Sequence, residues 1–360
     1  MNQSMAITLD ATHFGQPQPT GVEGYTNALL PLLTERLQAA GASVAWIGHA
    51  GAPLGMPEGT VWLSSPYRKF WSQTGLPQLL GQTRPNLYFT PSGIPPVRTG
   101  VKTAMAVHDL GVYSVPTAYT LAQRLRLRRL SFAAAKRASR IIVPSLFTAE
   151  QVQRYWKLES VVVSEGYTAN TAEIEPVEQL LDTPYYLYVG RLETKKNLLP
   201  LLLGFEKLIA SGSNTRLVLA GGQGHGYASI QRAIAKLSSA AEARTIETGY
   251  MSSGQKRWLY AHALAGVLPC PIEGFGLPVL DCFAAGIPAL CAKSGALPEV
   301  GGDACIYVQP DSPTDWYLQM DTAGKDATQV AKLVVKGTKY LKNYTWETAA
   351  DRTAETLLSA

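Results

Sequence analysis

The 360-residue sequence is short of charge, with 16% Asp, Glu, Lys and Arg, and it is 46% hydrophobic. A charged fraction below the ~25% usual in soluble proteins, joined to so much apolar content, excludes disorder as the main state. Much of the surface must then be apolar or neutral. Long apolar runs are also missing: Leu198 to Phe205 and Ala263 to Ile272 fall short of the ~20 residues a bilayer span needs, so no transmembrane anchor is expected. The start, MNQSMAITLDATHFG, has neither the basic nor the apolar region of a secretory signal. Cysteine is scarce: Cys270, Cys282, Cys291 and Cys305 contain no C-x-x-C pair, which points to neither a zinc site nor a disulfide framework. A cytoplasmic location follows as an expectation.

What is present is an alternation of short apolar runs with helical stretches. MAITLD, SVAWIG, NLYFTP, TAMAVHD and RIIVPS read as strands, and VEGYTNALLPLLTERLQAAG as a helix closed by Gly41. After a polar, acidic stretch, Ala169 to Thr183, the pattern restarts: YYLYVG, TRLVLAGG, AGVLPC and PALCA are strands separated by helices. Such alternation predicts an α/β chain with two doubly wound parallel sheets. We expect one domain over 1–170, a second over 171–335, and a terminal helix over 336–360 that returns to the first. In such sheets ligands bind at the carboxyl ends of the strands, so a cleft between the domains is the expected site.

The stretch AGVLPCPIEGFGLPVLDCFAAG combines a buried-type strand, a glycine loop and a helix start with Pro278 near its first position. Unsatisfied N–H groups there attract anions, and Gly274 and Gly276 admit a ligand close to the backbone. Asp281, placed in the first turn eight positions after Glu273, brackets the loop with a second carboxylate. A capped strand-loop-helix with no ligand explains the same residues. In YYLYVGRLETKKN, Arg191 and Lys196 leave a strand end and precede a helix. Two cations so placed suit a diphosphate, and solvated surface charge is the alternative.

Taken together, these stretches resemble the family 4 retaining glycosyltransferases, the GT-B-fold enzymes that use nucleotide-diphosphate sugars. Glu273 and Asp281 match the family's E-x7-E motif, and Gly190, Arg191, Lys196 and Asn197 match its G-R-x4-K-N motif. GYMSSGQKRWLYAHA, SGALPEVGGDACIYVQP, TGVEGYTNALLPLL, AVHDL and RASRIIVPSLFTAEQV extend the likeness over nearly the whole chain. The resemblance implies a GT-B fold: two Rossmann-like domains, the first for the acceptor and the second for the donor. It implies that Arg191 and Lys196 hold the leaving diphosphate and that Glu273 binds sugar hydroxyls. Backbone N–H groups of Gly274, Phe275, Gly276 and Leu277 would meet sugar and phosphates. His108 would reach the donor sugar, and Gly21 would lie near the phosphates. Asp281 stands where the family has a ribose-binding glutamate, and Thr20 where it has a loop glycine.

The implied reaction is transfer of a hexose, with retention, to a glycan or lipid-linked acceptor. GDP-mannose is the leading donor, on similarity to bacterial mannosyltransferases, with UDP-sugars as alternatives. No Asp-x-Asp triplet occurs, and neither metal nor cofactor is expected. A sugar-nucleotide 2-epimerase and a non-catalytic nucleotide-sugar-binding module are the competing functions. His13, His49 and His262 have no partner spacing, and His225 reads as a loop residue.

One charge feature stands apart. Residues 1–170 carry a net charge of +7 and residues 171–360 one of −2. The excess in the first part equals the seven cations between Arg124 and Arg140, in a stretch, Leu110 to Ala149, without any acidic residue. Apart from Phe132, no aromatic residue lies among these cations, so nucleic acid is a poor partner. A solvated helix face is one reading. An anionic membrane surface met by Arg124, Arg128 and Arg129, with the protein peripheral at the inner membrane face, is the one the resemblance favours, since many members of the family act on lipid-linked acceptors there. Acceptor choice is expected to lie in loops such as Leu54 to Pro85, which carry no motif.

Overall fold

A computed structural model describes residues 5–16, 21–49, 51–64, 71–181 and 183–360. Thr20 lies outside them. Two compact units result: one of Met1–Tyr113, Leu121–Thr168 and Tyr344–Ala360, the other of Ser114–Thr120 and Ala169–Asn343.

The first unit is built on a seven-stranded sheet of order β3-β2-β1-β4-β5-β6-β7. Its strands are β1 (Ala6–Asp10), β2 (Ser43–Gly48), β3 (Val61–Ser64), β4 (Leu87–Thr90), β5 (Lys102–Ala106), β6 (Arg140–Val143) and β7 (Val161–Val162). Every pairing is parallel. The central strands are buried along most of their length because helices cover both faces. The helix Gly21–Ala39 lays Leu29, Leu30, Leu33 and Leu37 on one face of this core. The helix Trp346–Leu358 adds Ala349, Ala350 and Leu357 to the same core. Gly166 lets that terminal helix begin so close, since a Cβ there would stand 2.4 Å from the Trp346 nitrogen.

The second unit carries a six-stranded parallel sheet of order β10-β9-β8-β11-β12-β13. Its strands are β8 (Tyr185–Val189), β9 (Arg216–Ala220), β10 (Thr245–Gly249), β11 (Ala265–Leu268), β12 (Ala289–Ala292) and β13 (Ile306–Val308). Leu201, Leu202 and Phe205 of the helix Leu198–Ala210 pack into its core with Trp316 and Met320 of the helix Pro313–Lys325. That second helix and the start of the next, Ala327–Leu341, supply most of the path of residues 311–329, which the sequence pattern left open.

In each sheet the strand order reverses once, between β1 and β4 in the first and between β8 and β11 in the second. At such a reversal the two connecting loops diverge to opposite faces and leave a crevice at the carboxyl ends. The β8 and β11 loops hold Arg191, Lys196 and Glu273. His108 follows β5, next to β4.

Candidate functional site

In the second unit β8 ends at Val189, and the chain turns through Gly190 into Arg191. The turn rests on a second glycine: a Cβ on Gly221 would come within 2.1 Å of the Gly190 carbonyl oxygen. The Gly190 nitrogen donates to Ala220 and the Leu192 nitrogen to Gly222, so the loop after β9 buttresses the loop after β8. His225 joins that support through its backbone carbonyl, which accepts from the Thr194 nitrogen. A short turn of helix, Thr194–Lys196, then carries Lys196 back over the strand end.

Lys196 meets Glu273 there, Nζ donating to Oε2 across 2.7 Å. About a fifth of the lysine side chain and a quarter of the carboxylate remain exposed. Burial pulls the Lys196 ammonium down, but the Glu273 charge outweighs it and the group ends well above the ordinary lysine value. Burial likewise pushes Glu273 up, and the Lys196 charge, with the Cys270 thiol, brings it below the ordinary carboxylate value. Both members therefore stay charged across the neutral range. The Cys270 thiol is itself pushed up to about 12, chiefly by burial.

The Glu273 backbone is fixed from β12's loop. Its carbonyl accepts from the Ala296 nitrogen at 2.9 Å, and a Cβ on Gly295 would stand 2.9 Å from both the nitrogen and the oxygen of Glu273. Gly274, Phe275 and Gly276 are buried, and Gly276 takes φ +111° to open the helix Leu277–Ala285. Asp281 is the fifth residue of that helix, a turn further in than the first-turn position expected for it. There the Tyr260 hydroxyl donates to Asp281 Oδ2 at 3.3 Å. Arg191 is exposed and has no ion-pair partner among the described residues.

The first unit places Gly21, exposed, at the start of its long helix. His108 follows β5, with a fifth of its side chain exposed. Both its ring nitrogens are engaged, Nδ1 with Oε1 of Glu165 at 3.0 Å and Nε2 with the Pro91 carbonyl at 2.9 Å. The edge of the Tyr25 ring packs against the imidazole at 4.6 Å. Burial lowers the His108 proton affinity, and the Glu165 carboxylate more than offsets this, leaving it raised. Glu165, Tyr260, Cys270 and Gly295 had no role in the sequence reading, although the segments SGALPEVGG and GYMSSGQKRWLYAHA contain two of them.

Residues 170–343 match the family described as glycosyl transferases group 1. The second unit is a group 1 glycosyltransferase domain. Over 259 residues the chain is 26% identical to O-antigen chain mannosyltransferase B of Escherichia coli, covering 68% of this chain and 67% of that protein. It is 22% identical over 244 residues to O-antigen chain mannosyltransferase RfbU of Salmonella typhimurium, covering 68% and 65%. The chain thus spans about two thirds of these relatives. Among solved structures, sucrose-phosphate synthase from Thermosynechococcus elongatus superposes with a TM-score of 0.71 at 20% identity, covering 98% of both chains. Anabaena HepE in complex with UDP and glucose gives 0.71 at 16% identity, covering 99% of this chain and all of the other. The fold is GT-B. In this domain the Lys196–Glu273 pair spans the two loops of the strand-order reversal, the place where open parallel sheets bind ligands.

Proposed function

We propose that the protein is a retaining glycosyltransferase that moves a hexose from a nucleotide-diphosphate sugar to a glycan or lipid-linked acceptor. The observation that carries this reading is the Lys196–Glu273 pair at the reversal of the second sheet. An ammonium has three donor hydrogens, so Lys196 keeps Glu273 with one and offers the others to a phosphate oxygen. Arg191, exposed five residues earlier in the same loop, supplies a planar fork for the same diphosphate. These fixed cations offset the charge that grows on the leaving group as the sugar–oxygen bond breaks, without a metal or cofactor. Glu273 accepts hydroxyls of the sugar, and the N–H groups of Gly274, Phe275, Gly276 and Leu277 line the helix start. Departure and attack on one face of the sugar retain the anomeric configuration.

The donor we favour is GDP-mannose, because the two relatives above carry the name mannosyltransferase. UDP-glucose is the second choice, as the Anabaena neighbour holds UDP and glucose. A thermal-shift screen over GDP-mannose, UDP-glucose and the free nucleotides tests this, since a ligand that binds the folded state alone raises its melting temperature. A shift with one nucleotide sugar supports the reading, and none with any of them contradicts it.

We further propose that the first unit docks on anionic membrane. The basic helix runs over Leu121–Ala135 and exposes Leu121, Leu125 and Phe132 beside Arg126 and Arg129. Exposed apolar side chains among cations fit an anionic interface. Of the three arginines singled out in the sequence, Arg128 is corrected: its Nε donates to the Val112 carbonyl at 3.0 Å and its guanidinium lies over the Tyr113 ring, so it serves the fold. Arg124 is half-buried, and Arg129 is exposed. Among the described residues no helix is long and apolar enough to cross a membrane.

A further inference from the structure

Among the described residues the buried carboxylates are Asp10 and Glu165. Asp10 is accounted for within the sheet, where it accepts from the hydroxyls of Tyr88, Thr90 and Thr12 and from the Thr12 nitrogen. Among the described residues Glu165 has a single hydrogen-bond partner, His108. The segment that carries it, Val163 to Tyr167, is tied down on either side: the Val163 nitrogen donates to Val143 and the Tyr167 nitrogen to Tyr344.

The two contacts of His108 determine where its protons sit. A carbonyl oxygen only accepts, so the hydrogen in the Nε2 contact with Pro91 belongs to the ring. With Glu165 as a carboxylate, the hydrogen at Nδ1 belongs to the ring as well. We infer that Glu165 is a positioning residue for the transfer reaction, holding His108 in one orientation with a proton on each nitrogen at the carboxyl end of β5. This rests on the proposed glycosyltransferase reading.

The consequence for chemistry is definite. An imidazole protonated at both nitrogens has no lone pair left to take a proton, so His108 does not act as a general base. It offers a fixed positive charge, together with an Nε2–H that a sugar hydroxyl shares with Pro91. The groups facing the ring are Glu165 from the segment after β7, Asp109 beside it in sequence and the Tyr25 phenol from the helix Gly21–Ala39. Burial and the Glu165 charge push the Tyr25 phenol far up, so it stays neutral and does not compete for the proton. The raised proton affinity of His108 agrees with this picture.

Glu165→Gln keeps the shape and removes the charge. The amide then donates to Nδ1, the ring becomes neutral with its proton on Nε2, and the Pro91 contact survives. Two readouts separate the claims. NMR of ring-labelled histidine, with His108 assigned among the five by His108→Gln, follows its titration without any substrate. We expect the proton affinity of His108 to fall at least about tenfold, one pH unit, in Glu165→Gln. The second readout is kcat/KM for GDP-mannose against pH: the protonated ring is the working form, so the alkaline fall moves to lower pH by the same interval. An unchanged titration, or an unchanged alkaline limb in an active enzyme, overturns the inference. If wild type turns over no nucleotide sugar while the titration shifts, the glycosyltransferase reading fails and the control of His108 by Glu165 stands. Should Glu165→Gln not fold, nitrogen spectra of the wild type at neutral pH decide: a bare Nδ1 overturns the inference.

Discussion

Lys196 and Glu273 come from loops on opposite sides of one strand-order reversal and meet at 2.7 Å, each holding the other charged. On the proposed reading, the pair preorganises a cation for the diphosphate and a carboxylate for the sugar, each neutralising the other until a donor arrives.

The linkage of this pair to pH has two ends. Glu273 is lowered in the fold, so its contribution is present above the ordinary carboxylate range and is lost as pH falls through its folded value. Lys196 is raised, so its contribution is present below the ordinary lysine value and fades as pH rises through its own. Denaturant melts of Glu273→Gln against wild type should therefore differ by about 1–3 kcal/mol at neutral pH, with the gap closing in acid. A constant gap down to the lowest pH at which both fold would contradict the pairing.

Gly295 should be far less tolerant than Gly41. Both have positive φ, +65° and +86°, but a Cβ meets the Glu273 backbone at Gly295 and nothing within 4 Å at Gly41. Gly41→Ala is expected to cost about 1 kcal/mol of backbone strain. Gly295→Ala should cost about 1–3 kcal/mol more and lower kcat as Glu273 shifts. Equal melting temperatures and equal rates in the two variants would show that the close approach is unimportant.

Asp281 is a methylene shorter than glutamate and holds the Tyr260 hydroxyl. If this carboxylate binds the ribose, Tyr260→Phe frees one of its lone pairs but loosens its aim, and nucleotide Kd should rise about threefold to tenfold with kcat little changed. Calorimetry with free GDP and UDP reads this directly. A kcat loss at constant Kd would instead place Tyr260 at the reacting centre.

Membrane docking by the first unit predicts that Arg126→Glu with Arg129→Glu abolishes co-sedimentation with vesicles containing anionic lipid. Each cation is worth about 1 kcal/mol near such a surface. Arg128→Glu should instead lower the melting temperature, because Arg128 holds the carbonyls of Val112 and Tyr113. Vesicle binding unchanged in the double variant would remove the membrane from the account.

The central strands were legible because burial on both faces writes them as nearly unbroken apolar runs: LYF in β4, YYLYV in β8, LVLA in β9 and ALCA in β12. The sheet edges were not. β10, TIETG, alternates half-buried and exposed positions, β3 is open along VWLS, and β7 is two residues long. Motif spacing singled out Lys196, Glu273 and His108, yet the partners they take in the fold were out of reach. Glu165 lies 57 residues from His108, and Glu273 lies 77 from Lys196. Such contacts depend on which loops the parallel crossovers bring to one strand end, and no local pattern encodes that.

The account rests most directly on whether the Lys196–Glu273 pair drives chemistry on a nucleotide sugar. The deciding measurement is release or transfer of sugar from GDP-mannose and UDP-glucose by wild type, Lys196→Ala and Glu273→Ala, each with its melting curve. The account predicts turnover of one donor by wild type and a loss of about 100- to 1,000-fold in both variants, with cooperative unfolding retained. Wild-type rates in both variants would contradict it.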